Sequence, residues 1–158
     1  MRFPFRHHAV LIPTGTYHAL DVAKYVVRKC TTDGHPISNL QLQKILYYIQ
    51  SAFLKKEHRA LFDDEIEAWK FGPVVRSVYR AYCGYGSSLI YESEPPDAVF
   101  LPEESMLMDR VIDEKRGLSA WELVMQTHAQ GTPWERMTHG NANGKVVIPK
   151  EMIAFHEK

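Results

Sequence analysis

One stretch constrains the fold of this chain more than any other. After Ser38, the residues Leu42, Ile45, Leu46, Ile49 and Phe53 recur at i, i+3, i+4, i+7 and i+11, the spacing of one helical face. Leu40, Tyr47, Tyr48 and Ala52 carry apolar character round much of the remaining circumference. A helix apolar on so many sides has to be packed on several of them, so the pattern predicts a central helix with other elements wrapped around it. Its start is marked as well. Ser38-Asn39-Leu40-Gln41 is a capping box, in which the Ser hydroxyl accepts from the Gln41 amide and the Gln side chain reaches back to the Ser38 backbone. Burying each Leu or Ile contributes about 1.5–3 kcal/mol, so this one helix supplies much of a core.

The other elements follow from the same signals. Val22, Ala23, Val26, Val27 and Cys30 form a stripe that predicts a helix over Tyr17–Cys30, with Arg28 and Lys29 at its dipole-negative end and a turn at Asp33-Gly34. Ile66 and Ala68 alternate with Glu65 and Glu67, which predicts a short strand ending at Gly72-Pro73. Pro73 is then expected at the first position of a helix carrying Val74, Val75, Val78, Tyr79 and Tyr82, stopped by Gly84 and Gly86. A loop with Pro95-Pro96 leads to a helix over Glu103–Arg116. Ser119-Ala120-Trp121-Glu122 and Thr132-Pro133-Trp134-Glu135 read as two further capping boxes. Val146-Val147-Ile148 is expected to pair with Ile66–Trp69, before a last short helix from Pro149 carrying Met152, Ile153 and Phe155. The sum is a mainly α, compact, single-domain helical bundle with a minor two-stranded β ribbon. Residues 1–16, with Pro4, Pro13, Gly15 and no helical period, read as a loosely ordered extension to a domain over residues 17–158.

Composition narrows the function. The 158 residues fit one core, and 19 basic residues balance 19 acidic ones. A dedicated nucleic-acid binder carries a basic excess, which this chain lacks. No apolar run is long enough to span a bilayer, and the N-terminal prolines and histidines break up any signal-like segment. Cys30 and Cys83 form no framework. Among Val26, Val27, Tyr79 and Tyr82 they read as buried free thiols, which fits a reducing cytoplasm.

The motifs of nucleotide binding, nucleophilic hydrolysis and zinc proteolysis are absent, and no two of the eight histidines have metal-ligand spacing. No metal or cofactor is expected. His128 continues the stripe Ala120, Leu123, Val124, Thr127. Two readings stand for it: a core histidine bonded to a loop carbonyl ahead of Thr132, or a general base titrating near neutral pH. No nucleophile or carboxylate partner is visible beside it in the sequence. Arg76 and Arg80, four apart, and the run Lys55, Lys56, His58, Arg59 could meet phosphate or simply face solvent.

Three blocks converge on one family. The run Asn39-Leu40-Gln41-Leu42-Gln43-Lys44-Ile45-Leu46-Tyr47-Tyr48 resembles the long helix of the Panacea domain, the domain of SocA-like antitoxins. Ile66-Glu67-Ala68-Trp69-Lys70-Phe71-Gly72-Pro73-Val74-Val75, followed by Val78-Tyr79-Arg80, is similar to that family's second block, with Phe71 where Tyr is common. Thr127-His128 and Pro133-Trp134 resemble its third. The resemblance covers nearly the whole chain apart from residues 1–16. It implies a helical, non-enzymatic antitoxin that binds a cognate toxin protein, with one branch of the family delivering its toxin to a cytoplasmic protease, and it associates such genes with prophages and mobile elements. The motif residues it singles out are Leu42, Gln43, Lys44, Tyr47, Tyr48, Trp69, Gly72, Pro73, Val74, Tyr79, His128 and Trp134.

Physical reading assigns several of these to architecture. Trp69, Gly72 and Pro73 are expected to fix a sharp strand-to-helix turn, and Trp134 to pack near His128. The expected partner surface is Lys55, Arg76, Arg80, Tyr82 and Tyr85, with the exposed part of Tyr79, the Lys55–Phe62 loop and the N-terminal arm. Two other readings remain open at the level of sequence: a DNA-binding regulator using Arg76 and Arg80, and a small enzyme using His128.

Overall fold

The computed structural model describes residues 17–158, and the extension read over residues 1–16 lies outside the described residues. The elements run α1 (Ala19–Thr32), β1 (Ile37–Ser38), α2 (Asn39–Lys56), β2 (Ile66–Trp69), β3 (Gly72–Val74), α3 (Arg76–Tyr82), a 3₁₀ turn over Cys83–Tyr85, β4 (Leu89–Ile90), α4 (Pro102–Lys115), α5 (Ala120–His128), α6 (Pro133–Thr138), β5 (Val146–Ile148) and α7 (Lys150–His156). The chain is mainly α, as its periodicity predicts.

The central helix is where the sequence puts it. The capping box closes in both directions, with the Ser38 amide donating to Gln41 Oε1 at 2.9 Å and the Gln41 amide to Ser38 Oγ at 3.3 Å. Every residue from Leu42 to Leu54 is buried, and α2 touches α1, α3, α4, α5, α7 and β3. Such enclosure also buries polar side chains, and each of them needs work to do. Gln50, fully buried, clamps the segment after α2: its Oε1 accepts from the Leu61 amide at 2.8 Å and its Nε2 donates to the Phe62 carbonyl at 2.9 Å. The far half of the Lys55–Phe62 loop is therefore core, since Ala60, Leu61 and Phe62 are fully buried. That corrects its reading as exposed partner surface.

The β component is larger than the ribbon expected from sequence. β2 pairs with β5 as expected, antiparallel and with Ile66 opposite Ile148. A third strand, β3, joins its other edge, with Ala68 opposite Pro73 and Trp69 opposite Gly72. Pro73 thus lies in an edge strand, and α3 starts only at Arg76. The expected strand-to-helix turn is in fact a hairpin turning at Lys70-Phe71. Proline is admissible here because an edge residue need not donate to a ladder. Two smaller corrections concern surfaces. Cys83 is exposed, because it opens the 3₁₀ turn after α3 rather than continuing the buried Val78–Tyr82 face, whereas Cys30 is buried as expected. At α6, Thr132 caps the Glu135 amide, but the Glu135 side chain accepts from Gly131 and leaves the box half formed.

Candidate functional site

The three motif blocks meet at the β2–β3 hairpin. β3 is an edge strand, and the side chains of α2 occupy that edge in place of another strand. Gln43 Oε1 accepts from the Val75 amide at 2.9 Å, and Lys44 Nζ donates to the Pro73 carbonyl at 3.0 Å. Gln43 is itself oriented by donating to Asn39 Oδ1 at 2.9 Å, and Asn39 Nδ2 donates to the Tyr79 carbonyl at 3.3 Å. One run of α2 residues therefore holds both the hairpin and α3. From the opposite side, Trp134 Nε1 donates to the Trp69 carbonyl at 2.7 Å.

Gly72 shows how tight this junction is. Its φ is +107°, and a Cβ there would lie 2.7 Å from Lys44 Cε and 2.7 Å from Thr127 Oγ1. Lys44 is fully buried with no carboxylate in ion-pair reach among the described residues, and burial pushes its ammonium down to about 7. His128 stacks on Trp134 with centroids 3.6 Å apart and planes 11° apart. Its Nε2 is buried and without a hydrogen-bond partner among the described residues, so the loop-carbonyl bond expected of it does not form. Burial, and secondarily the charge of Lys44, pushes the imidazole below its ordinary value. The charge that acts on His128 is thus that of Lys44, and among the described residues no carboxylate is bonded to its ring in the way that orients a catalytic base.

The hairpin presents an aromatic groove to solvent. It encloses about 320 Å³ between the start of α2 (Asn39, Leu40, Gln43), the hairpin (Trp69, Lys70, Phe71, Val74) and α3 with its following turn (Tyr79, Cys83, Gly86, Ser87). Phe71 is 47% exposed and Tyr79 is 39% exposed. Trp69 packs edge-on against Tyr79 at 5.0 Å between centroids. Two cations lie over its ring, Lys145 at 4.6 Å and Arg76 at 5.6 Å. Glu67 orders this face by accepting from Trp69 Nε1 at 2.8 Å and from Arg76 Nη2 at 2.8 Å.

The residues read from sequence as partner surface do not form one patch. Arg76 stands at the groove but is engaged by Glu67. Arg80 is exposed on α3. Tyr82 is only 4% exposed and belongs to the core, so it is removed from any exposed surface. Tyr85 is half-buried and donates its hydroxyl to Glu92. Lys55 lies in a different cleft, donating to the Glu157 carbonyl at 3.1 Å. Of the motif residues on α2, Tyr47 is buried and donates to Glu157 Oε1 at 2.7 Å, while Tyr48 lies against it at 5.3 Å. Sequence reasoning missed Asn39, whose role as a bridge to α3 was hidden behind its place in the capping box. It also missed Lys145, which only a tertiary contact brings to Trp69.

Comparison with known proteins places these features in a family. The family model described as "Antitoxin SocA-like, Panacea domain" matches residues 42–135, a span that contains Gln43, Lys44, the hairpin, Thr127, His128 and Trp134. The curated protein Antitoxin SocA of Caulobacter vibrioides (strain NA1000 / CB15N) is 34% identical, over 75% of this chain and 69% of that protein. No solved structure matches.

Proposed function

The chain belongs to the SocA-like antitoxin family with a Panacea domain, and from that membership we propose that it binds one toxin protein and neutralises it by seating it on the aromatic groove. The observation that carries this reading is the division of labour among the motif residues. Gln43, Lys44, Gly72, Pro73 and Trp134 are consumed in fixing the hairpin, and what the hairpin and the adjoining α3 then offer to solvent is Phe71, part of Trp69 and Tyr79. Aromatic side chains held rigidly around a depression are the material of binding hot spots. Restraining a toxin at cellular concentrations takes roughly nanomolar affinity, about −12 kcal/mol, from an interface of around 1,600 Å². The groove serves as its centre and exposed neighbours such as Arg80 as its rim.

The competing readings gain nothing from the geometry. The guanidinium of Arg76 is already paired with Glu67, and among the described residues no carboxylate orients the His128 ring. Delivery of the bound toxin to a protease is a further step of the same reading, visible as a shortened toxin half-life when the antitoxin is present. The functional test is co-expression with the toxic product of the adjoining gene. Wild type restores growth and Trp69→Ala does not; growth arrest that persists with wild type counts against the reading.

A further inference from the structure

A second cleft, unrelated to the groove, lies between α2 and α4. It encloses about 320 Å³, and its lining includes Lys55, Lys56, Arg110, Lys115 and Lys158 against one carboxylate, Glu114. Among the described residues none of these five cations is in an ion pair. Like charges gathered in a concave site raise one another's energy unless an anion joins them. Burial pushes the Lys115 ammonium down; the charges of Glu114 and Glu157 act against that shift, and the charge of Lys55, the smallest contribution, acts with it.

The lining also includes an orphan donor. Ser51 is 1% exposed, and its Oγ is buried with no hydrogen-bond partner among the described residues. A serine inside a helix ordinarily donates to the carbonyl one turn back, and this one does not. Leaving a buried hydroxyl unpaired costs about 1–3 kcal/mol, so the position is better explained by a guest acceptor than by packing. An adjoining depression of about 270 Å³ shares Tyr48, Lys115 and Lys158 and adds Gln126, His156 and a second carboxylate, Glu157.

We propose that the α2–α4 cleft binds a small phosphate-bearing anion, with the Ser51 hydroxyl and the surrounding ammonium and guanidinium groups donating to its oxygens. Phosphate oxygens accept strong charge-assisted bonds from both donor types. The enclosed volume lies at the small end of ligand sites, about 300–1,000 Å³, which suits pyrophosphate or the phosphates of a nucleotide and is too confined for a duplex. The assignment does not depend on how a toxin is bound.

Calorimetric titration of the full chain at about 150 mM salt, where diffuse surface attraction is screened, tests it with inorganic phosphate, pyrophosphate and ADP. One equivalent of pyrophosphate or ADP should bind with Kd below about 1 mM. The tighter of the two tells whether the free anion or the nucleotide is the source. Lys56→Glu with Arg110→Glu, both at exposed positions, should weaken binding at least about tenfold. Ser51→Ala should also weaken it while leaving the melting temperature unchanged or higher, because it removes an unpaired buried hydroxyl. The proposal is overturned if none of the three anions binds wild type, or if both variants bind as wild type does. Binding of a Glu-rich peptide alone also overturns it and makes the cleft a protein contact. These titrations contain no toxin, so their failure leaves the antitoxin reading standing, and failed growth rescue leaves the cleft's assignment standing.

Discussion

Gly72 and Lys44 are where single atoms decide most. Gly72→Ala must hold an L residue at φ +107° and bring a Cβ within 2.7 Å of Lys44 and Thr127. Strain of that kind costs about 1–3 kcal/mol before the clash is added, so a loss of roughly 3 kcal/mol is expected in urea unfolding. Lys44 predicts a pH dependence. Its ordinary value is about 10.4, against about 7 in the fold. Between those values the unfolded chain holds the proton and the folded chain increasingly does not, so stability rises with pH from about 7 to 9, by at most ~1.4 kcal/mol per unit. Lys44→Met should flatten that slope, and an unchanged slope would show that some other group produces it. The close approach at Gly72 was legible in the sequence, but what approaches it was not. Lys44 reads there as a motif residue with no stated partner, because the carbonyl it serves is 29 positions away on a strand that was read as a helix.

At the scale of elements, legibility followed locality. The α2 capping box and its apolar period involve neighbours three and four apart, and both are present as read. The β2–β5 pairing was legible because the alternating segment Ile66–Trp69 and the apolar run Val146–Ile148 were the two strands read from the sequence. The third strand was not, since Pro73 has a favourable local role at a helix start, and its actual role depends on α2 side chains filling an edge. The segment after α2 failed for the same reason. Gln50, a polar residue between apolar ones, satisfies the backbone of Leu61 and Phe62 inside the core, a role that depends on tertiary contact. Replacing it by Leu removes those bonds and leaves buried amides and a carbonyl unpaired, at about 1–3 kcal/mol each. We expect Gln50→Leu to lose roughly 3 kcal/mol, and the Leu61 and Phe62 amides to exchange with solvent faster than in wild type. Unchanged protection at those two amides would contradict the clamp.

For the whole molecule, the family blocks carry two kinds of information that the sequence alone does not separate. Some motif residues build the frame, and a few reach solvent because the frame holds them there. Tyr82 and Tyr79 lie on the same short helix, yet one is core and the other borders the groove. The resemblance of the three blocks pointed toward an antitoxin, but a candidate surface for its partner had to come from tertiary structure. The account's central claim is that the groove formed by Trp69, Phe71 and Tyr79 is the toxin's seat. The most direct measurement is the dissociation constant for the toxin whose growth arrest the chain relieves, compared between wild type and Phe71→Asp with Tyr79→Asp. Both side chains are partly exposed, so the melting temperature should fall by no more than a few degrees. Affinity should fall at least about 100-fold, the loss of a hot-spot centre. A doubly substituted chain that remains folded and binds the toxin as tightly as wild type would contradict the account.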